Sequence, residues 1–375
     1  MGGGMMDADR HLPPPPPFDH RVVRVVHLIA RLNDGGPARV LAALARVLAP
    51  QGIETVILAG RCEDHEVDLA PRLREDGITV LDLPRLGRSI GPGADLATLG
   101  RVLGLVRDLR PAVLHTHTAK AGALGRIAAR LLGQPCLHTY HGHVLHGYFP
   151  PGMSAAILTA ERLLAGPCHH QALTRSQQVD LARIGRPDRW HVLPVPVPAV
   201  VPQVAAWHDA LDRPVVGFLG RLVAVKDPAL WSATVRLLGA RHGVLGVVAG
   251  DGPLREAVSG HRHLGMVPAG ELLARCRVLL MTSRNEGQPL AAVEAASLGV
   301  PVVAAPVGGL ADLARDGLVT AAARTPEALA DAVARLLPDS VLRDARIARA
   351  RAVAATFTPE ALAPAYARMY RQVAG

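Results

Sequence analysis

The strongest indication of a functional site in this sequence is a pair of glutamates eight positions apart, Glu286 and Glu294. Gln288 and Pro289 stand between them, and proline is favoured in the first turn of a helix, where no backbone N–H group is needed. We therefore predict that Glu286 lies on a loop at the mouth of a helix and that Glu294 lies on the helix itself. Two solvated acids beside an ordinary helix are the alternative, because acids at a helix start suit its dipole.

A glycine turn and a pair of cations could supply the opposite charge. Gly308 and Gly309 follow a predicted buried strand, and their backbone N–H groups could approach an anion. Arg221 and Lys226 flank one loop, and Lys226 is one of only two lysines among 41 basic residues. An arginine fork and a lysine point charge can bind different oxygens of one diphosphate. Cations near a helix start oppose its dipole, which favours an anion between them over two solvated charges.

Six histidines between His115 and His146 raise the question of a metal site. Spacings such as H-x-H can ligate zinc, and Cys136 is near in sequence, but this stretch contains no carboxylate. We predict no metal. Lys120, one turn into a predicted helix, could instead meet an acidic acceptor or a phosphate.

Short apolar runs alternate with amphipathic helices along the chain, which is typical of parallel α/β layers. Four prolines between Pro194 and Pro202 interrupt this pattern, and because proline blocks sheet pairing and helix continuation, we predict a linker between two domains there. Open α/β sheets bind ligands at the carboxyl ends of their strands, so two facing sheets would place the site in the cleft between them. The predicted strands are 24–29, 54–59, 78–83, 112–115, 136–140, 215–219, 244–249, 278–281 and 301–305.

Composition narrows the class of protein. The 375 residues suffice for two domains, and 49% of them are hydrophobic. A net charge of +9 favours anionic ligands, but the basic residues are dispersed and aromatics are few, so we expect no nucleic-acid partner. Four scattered cysteines fit a reducing cytosol. No apolar run reaches transmembrane length, and the proline-rich start is predicted to be a disordered tail, not a targeting peptide.

Several segments resemble retaining family-4 glycosyltransferases of the GT-B fold, in a bacterial polysaccharide-type branch. Residues 282–309 resemble the family's E-x7-E region, and the run GRLVAVKD at 220–227 resembles its G-R-L-x-x-x-K segment. The GDGP turn at 250–253 also matches, and we assign it a structural role. In the first half, the matching segments are the glycine loop 31–38 and the histidine-bearing stretches 115–126, 138–143 and 147–149.

The resemblance, which spans about residues 22–372, implies roles for individual residues. Arg221 and Lys226 would neutralise the leaving diphosphate of a nucleotide sugar, here expected to be UDP-linked. Glu286 would contact the donor sugar, Glu294 the ribose, and His141 would lie against the sugar. The remaining donor-binding residues that it implies are Gly35, Gly36, Gly287, Pro289, Leu290, Val267, Gly308 and Gly309. The family chemistry needs no metal or other cofactor.

The predicted organisation is a tail (1–20), a Rossmann-like acceptor domain (21–193), a linker (194–213), a Rossmann-like nucleotide-sugar domain (214–357) and a last helix (358–375). By resemblance, that helix returns to the first domain. Where the family has a P-N-G-V-D-like turn, this chain has Pro194-Val-Pro-Val-Pro198, which would stiffen the hinge. A non-hydrolysing UDP-sugar epimerase and a catalytically silent nucleotide-sugar-binding protein share the fold and are the alternatives.

The expected acceptor is a glycan, a lipid-linked sugar or a small molecule with a free hydroxyl, and the expected location is cytoplasmic. Arginines on predicted helices, namely Arg39, Arg46, Arg126 and Arg130, could also attract anionic lipid at the inner membrane face. The alternative is that they belong to the solvated faces of surface helices.

Overall fold

The chain is described by a computed structural model over residues 22–375, apart from 65, 88–90, 143–150, 206 and 208–211. The predicted tail and the segment 147–149 therefore lie outside the described residues. In the first half, strands alternate with helices as the apolar pattern predicts. These elements are β1 Val23–Ile29, α1 Gly36–Leu48, β2 Ile53–Gly60, α2 Ala70–Glu75, β3 Thr79–Leu83, α3 Pro92–Leu109, β4 Val113–His117, α4 Ala119–Leu132, β5 Cys136–Thr139, α5 Pro151–Ala165, β6 His169–Ala172, α6 Arg175–Leu181 and β7 Trp190–Val192.

The second half repeats the same alternation. Its elements are β8 Val215–Leu219, α7 Pro228–His242, β9 Leu245–Ala249, β10 Arg262–Gly265, α8 Ala269–Leu273, β11 Cys276–Met281, α9 Leu290–Ser297, β12 Val302–Ala304, α10 Gly309–Asp316, β13 Val319–Ala321, α11 Pro326–Ala334, α12 Val341–Ala354 and α13 Pro359–Ala374. Short edge strands such as β10 and β13 were not among the predicted strands, because three or four residues carry too little pattern.

Each half contains one parallel sheet with helices on its faces. The first sheet has seven strands in the order β3-β2-β1-β4-β5-β6-β7, and the second has six in the order β10-β9-β8-β11-β12-β13. Every strand pair is parallel, and the central strands are buried on both faces, as parallel sheets require. The predicted α/β fold with two Rossmann-like sheets is confirmed.

The last helix packs on the first half of the chain, although it follows the second sheet. On α13, Leu362, Tyr366 and Tyr370 are buried in one cluster with Val25 and Leu44 from β1 and α1. Burial of two tyrosines requires partners for their hydroxyl groups. The Tyr370 hydroxyl lies 2.9 Å from His115 Nδ1, and Gln171 Nε2 donates to the Tyr366 hydroxyl at 2.7 Å. The predicted return of this helix to the first sheet is confirmed.

The proline-rich stretch between the two sheets is extended and is pinned at its start. Gln288, just before α9, uses both amide atoms on Val195: its oxygen accepts from the Val195 N–H group and its nitrogen donates to the Val195 carbonyl, each at 2.7 Å. Val197 donates its N–H to the carbonyl of Phe357 at 2.8 Å. Val195 and Val197 are both buried. The stretch is thus tied to the loop that carries Glu286.

Candidate functional site

Lys226 and Glu286 meet at the carboxyl edge of the second sheet. Lys226 lies in the loop after β8, and Glu286 lies in the loop after β11, the neighbouring strand. Lys226 Nζ is 2.5 Å from Glu286 Oε1, and the Ser283 hydroxyl donates to the same oxygen at 2.6 Å. The Glu286 side chain is only 9% exposed, and that of Lys226 is 23% exposed. The geometry fixes one cation and one carboxylate in a largely desolvated position.

Asp227 holds the backbone on which Lys226 sits. It adopts a left-handed conformation (φ 48°) that aspartate tolerates better than most residues. Its carboxylate caps α7 by accepting from the Leu230 N–H group at 3.3 Å, and it pairs with Arg324 and, at 3.1 Å, with Arg284. The Thr282 hydroxyl lies 3.0 Å from the Lys226 carbonyl and 2.9 Å from the Asp227 carbonyl. These contacts fix the loop rather than the ammonium group.

Arg221 lies on the same loop, at the end of β8, but stands apart from the Lys226–Glu286 pair. Its side chain is exposed and makes no ion pair with any described residue. The GDGP turn holds its backbone, because a Cβ at Gly250 would lie 1.9 Å from the Gly220 carbonyl oxygen, and Leu222 donates to the Asp251 carbonyl at 2.9 Å. The structural role predicted for this turn is confirmed.

Gly308 and Gly309, predicted to form an anion-binding turn, pack closely against the loop that carries Glu286. Gly309 donates its N–H to the Glu286 carbonyl at 2.8 Å, so this amide already has a partner. A Cβ at Gly308 would lie 2.3 Å from the Glu286 oxygen, and one at Gly309 would lie 1.9 Å from the Gly287 oxygen. The two glycines therefore let the loop that carries Glu286 pack directly on the start of α10.

The first half of the chain reaches this loop at two points. A Cβ at Gly287 would lie 3.1 Å from the His141 carbonyl oxygen, and one at Gly36 would lie 3.2 Å from Leu290 Cδ1. Gly35 is the N-cap of α1 and Pro289 the N-cap of α9, so that α9 begins at Leu290, one position after the proline instead of on it. The structure thus brings His141 of the first half close to the loop of the second half that carries Glu286 and Gly287.

Val267 does not join this group within the described structure. It follows β10, the edge strand of the second sheet, and packs half-buried against the cluster that contains Leu272 and Trp207. It lies on the same carboxyl edge, two strands from β8. Its contact with a nucleobase stays a prediction.

Glu294 is buried on α9 and faces a cation from the first half of the chain. Burial raises the pKa of Glu294, while Arg39 on α1 acts in the opposite direction and Asp34 adds to the rise. Arg39 Nη1 lies 3.5 Å from Glu294 Oε1, and Arg39 Nε lies 3.7 Å from Asp34. Arg39, predicted as a lipid-attracting surface residue, therefore lies at the cleft. The Arg39 guanidinium thus offsets part of the desolvation of the carboxylate that is predicted to bind the ribose.

Replacing Arg39 should make ligand binding at Glu294 sensitive to pH. In Arg39→Gln the lowering effect of the guanidinium is lost, so the pKa of Glu294 rises further above its ordinary value. An ionised carboxylate accepts ribose hydroxyl groups more strongly than a protonated one, so nucleotide affinity should weaken as pH falls, starting at a higher pH than in the wild type. Calorimetric titration of UDP between pH 5 and 8 measures this. Arg46→Gln, on the same helix but paired with Asp76, is the control, and identical profiles for all three proteins would contradict the assignment.

Four histidines cluster where the first sheet meets the cleft. His27 Nδ1 lies 3.0 Å from His117 Nε2, and His117 Nδ1 lies 2.9 Å from His141 Nε2. His115 uses its two ring nitrogens on the Tyr370 hydroxyl and on Thr139 Oγ1 (2.6 Å). Burial is the main cause that lowers the pKa of His27 to about 3 and that of His141 to about 4. These imidazoles are neutral at physiological pH.

Three of these side chains, His27, His115 and His117, are also close enough to be considered as metal ligands. Their candidate ligand atoms lie within 4.8 Å of one another, and all three residues are buried. Both nitrogens of His115 and of His117 already have hydrogen-bond partners. A divalent ion there would have to displace several of these bonds, which favours the hydrogen-bonded arrangement.

The residues predicted to face an acceptor or a membrane are mostly paired. Lys120 Nζ lies 2.5 Å from Asp95 across the starts of α4 and α3. Arg126 is buried and pairs with Glu161 at 2.7 Å, so its predicted surface position is wrong. Only Arg130, of the four predicted arginines, is exposed without an ion pair among the described residues. None of the helices in the described part of the chain has both the length and the apolar character that crossing a bilayer requires.

Sequence reasoning missed Ser283, Gln288 and Asp227 as residues that position the site. Gln288 and Asp227 act through contacts between distant segments, such as Gln288 on Val195, 93 positions away, whereas Ser283 contacts Glu286 on its own loop. Asp227 alone had a local signal, because Asp before Pro228 is a typical helix cap.

Two sequence families match the chain. A glycosyl transferase 4-like domain family matches residues 35–196, and a family described as glycosyl transferases group 1 matches residues 213–339. The chain is 29% identical over 369 residues to a D-inositol 3-phosphate glycosyltransferase of Xylanimonas cellulosilytica, which covers 85% of this chain and 87% of that protein. It is 30% identical over 354 residues to the 2-deoxystreptamine N-acetyl-D-glucosaminyltransferase of Streptomyces fradiae, covering 82% of each.

A solved structure has the same fold at lower identity. HepE of Anabaena, in complex with UDP and glucose, superimposes with a TM-score of 0.73 at 19% identity, over 93% of this chain and 100% of that one. At this identity the likeness concerns the fold alone.

Proposed function

This chain belongs to the group 1 glycosyltransferases, and on that premise we propose that it is a retaining enzyme that moves a sugar from a UDP-sugar to a hydroxyl acceptor. The observation that carries the proposal is the Lys226–Glu286 pair, held at 2.5 Å on a loop whose next residue, Gly287, packs against the His141 carbonyl. A cation for a leaving phosphate and a carboxylate for a sugar hydroxyl are thereby placed side by side. The UDP complex of HepE supports UDP as the nucleotide.

In this proposal the donor lies along the carboxyl edge of the second sheet. Its diphosphate takes the place of Glu286 as partner of Lys226 and draws in the exposed side chain of Arg221. The ribose hydroxyl groups bind Glu294, whose charged form is stabilised by Arg39. Gly35 and Gly36 bring the first loop of the N-terminal half close to the phosphates, and Val267 lies further along the edge for the base.

The chemical step follows from these positions. The bond between the anomeric carbon and the diphosphate oxygen breaks, and its electron pair passes to the diphosphate. Arg221 and Lys226 stabilise the charge that develops there, which is preorganised electrostatic catalysis. The acceptor hydroxyl attacks from the face that the diphosphate leaves, and its proton passes to the departing phosphate oxygen. Glu286 orients the sugar, and the His141 carbonyl lies near the carbon that gains positive charge.

A panel of nucleotide sugars tests the proposed function. The protein should release free nucleotide from a UDP-sugar, slowly with water alone and faster when a sugar, glycan or lipid-linked acceptor is supplied. An epimerase would instead convert the UDP-sugar into its epimer without any acceptor. A silent binding protein would bind the nucleotide and leave every donor intact, and either result would overturn the proposal.

Activity should survive removal of divalent ions. Phosphate charge is met by Arg221 and Lys226, so we propose that no metal or other cofactor takes part. Turnover of the best donor should be unchanged after treatment with EDTA. Complete loss on chelation, restored by adding a divalent ion, would contradict this and would direct attention to His27, His115 and His117.

Peripheral binding to an anionic membrane is a further part of the proposal, since a lipid-linked acceptor would have to be reached there. Flotation with vesicles that contain anionic lipid should recover the protein at low salt and lose it as salt rises, because surface charge is screened. Arg130→Gln should weaken this binding, whereas Arg126→Gln should act only through stability. Absence of binding at low salt would favour a small-molecule acceptor.

A further inference from the structure

Three imidazoles form a hydrogen-bonded chain from the core of the first sheet to the cleft. The links are His27 Nδ1 to His117 Nε2 at 3.0 Å and His117 Nδ1 to His141 Nε2 at 2.9 Å. His27 and His117 are fully buried on adjacent strands. The mechanism above uses only the last member, His141, and gives the other two no role.

Neutral imidazoles can form such a chain in only two ways. Each ring has one N–H group and one bare nitrogen, so each N···N contact holds one proton and all the N–H groups must point in the same direction. Burial lowers the pKa of His117 well below its ordinary value, with neighbouring His115 and His141 adding to the effect, so a charged ring does not interrupt the chain. The proton of His141 is then fixed by the rings behind it.

The inner end of the chain decides between the two directions. His27 Nε2 is buried and has no hydrogen-bond partner among the described residues. If the N–H groups pointed inward, this atom would be an orphaned donor, and if they pointed outward it would be a bare acceptor. Orphaned buried N–H groups are rarer in proteins than under-satisfied acceptors. The outward direction is therefore favoured, with protons on Nδ1 of His27 and His117.

The titratable groups around this chain of three histidines form their hydrogen bonds with other residues. From β4, the His115 ring lies tilted against His27 and His117 with ring centroids 4.9 and 4.1 Å away, but its nitrogens bond to Tyr370 on α13 and to Thr139 on β5. His138 on β5 bonds to Thr116 at 2.8 Å. Glu286, whose loop touches the His141 carbonyl, is bound to Lys226 and Ser283.

We propose that His27 and His117 are positioning residues which hold His141 in its Nδ1–H tautomer, as a neutral hydrogen-bond donor in the cleft. His141 Nε2 is occupied by His117, so Nδ1–H is the group left for a ligand. On the proposed function, that ligand is a hydroxyl oxygen of the donor sugar. A donor of fixed direction and without charge can bind the sugar without competing with Arg221 and Lys226 for the diphosphate.

Nitrogen-15 NMR of the full-length wild-type protein tests the tautomer directly, with no substrate present. At pH 7, His141 should show a protonated Nδ1 and a bare Nε2, and this pattern should persist to about pH 5 because its pKa is about 4. A proton on Nε2, or an imidazolium at pH 7, would overturn the proposal. This result is independent of the proposed function. A protein that has the predicted tautomer but transfers no sugar would contradict the proposed function and leave the assignment of the tautomer intact.

Breaking the chain of histidine hydrogen bonds should change both the tautomer of His141 and the kinetics with the sugar donor. In His117→Phe, His141 should lose its single tautomer, and donor kcat/KM should fall about tenfold, as for the loss of one hydrogen bond. His27→Phe leaves the bond between His117 and His141 intact, so it should change the tautomer and kcat/KM in the same direction but less. It replaces His117→Phe as the test if that variant fails to fold. His191→Phe removes a similar 3.0 Å bond to His169 outside the chain and should leave the His141 spectrum unchanged. An unchanged His141 tautomer in both chain variants would overturn the proposal.

Discussion

Lys226→Ala should lower kcat/KM for the donor by about 30- to 10³-fold, or about 2–4 kcal/mol of transition-state stabilisation, as for the loss of one preorganised charge contact. The lysine is one of two cations assigned to the leaving diphosphate, and its loop is fixed by Asp227 and Thr282. Lys226→Arg should recover little, because a planar guanidinium does not replace a compact ammonium that must fit beside Glu286. Steady-state kinetics with the best UDP-sugar measures both effects.

The control for this prediction is a cation on the surface of the same domain, away from the cleft. Arg241 lies in the last turn of α7 and faces Asp331 at 3.6 Å on the surface. Arg241→Ala should leave kcat/KM unchanged, since exposed ion pairs contribute little. Turnover by folded Lys226→Ala at the wild-type rate would show that the cation does not act on the leaving group.

Gly309→Ala should also abolish most of the activity, although Gly309 carries no side chain of its own. Its new Cβ would lie 1.9 Å from the Gly287 carbonyl oxygen and 3.2 Å from Pro289 Cδ. The loop must then move away from α10, and Glu286 moves with it, while the 2.8 Å bond from Gly309 to the Glu286 carbonyl is broken or stretched. A displacement of about 1 Å in a catalytic group costs about 100-fold in rate. We expect a loss of that order in kcat.

Gly104→Ala is the matched control, since no heavy atom lies within 4 Å of a Cβ at that position on α3. It should leave activity intact and stabilise the fold by about 0.5–1 kcal/mol, because alanine suits a helix better than glycine. Thermal unfolding of Gly309→Ala shows whether lost activity comes from a displaced loop in a folded protein or from loss of fold stability. Full activity in a folded Gly309→Ala protein would mean that the close packing of α10 on the Glu286 loop is not needed for catalysis.

The fold was predictable because its signals are local. Apolar runs such as 215–219 and 278–281 mark buried parallel strands, and Pro37, Pro228 and Pro359 mark helix starts. Gln288 and Pro289 also predicted correctly that Glu286 is on a loop and Glu294 on a helix. These statements need only the chemistry of neighbouring residues.

The contacts of the site were not predictable in the same way. Nothing near Arg39 in sequence indicates that it faces Glu294, since the two are joined only when the halves of the chain pack together. The close packing of the glycine pair 308–309 was not predictable either, because flexible backbone suits both an anion-binding turn and a close-packed loop, and only the three-dimensional contacts with Glu286 and Gly287 show this packing.

Proton NMR of the sugar first released from an α-linked UDP-sugar tests the central claim most directly, because water can serve as the acceptor and the natural acceptor need not be known. In the proposed mechanism, attack occurs on the face that the diphosphate leaves. The first sugar signal should therefore be the α-anomer, which converts to the equilibrium mixture only later. A β-anomer formed first, or no release from any nucleotide sugar, would contradict the assignment of this cleft to retaining sugar transfer.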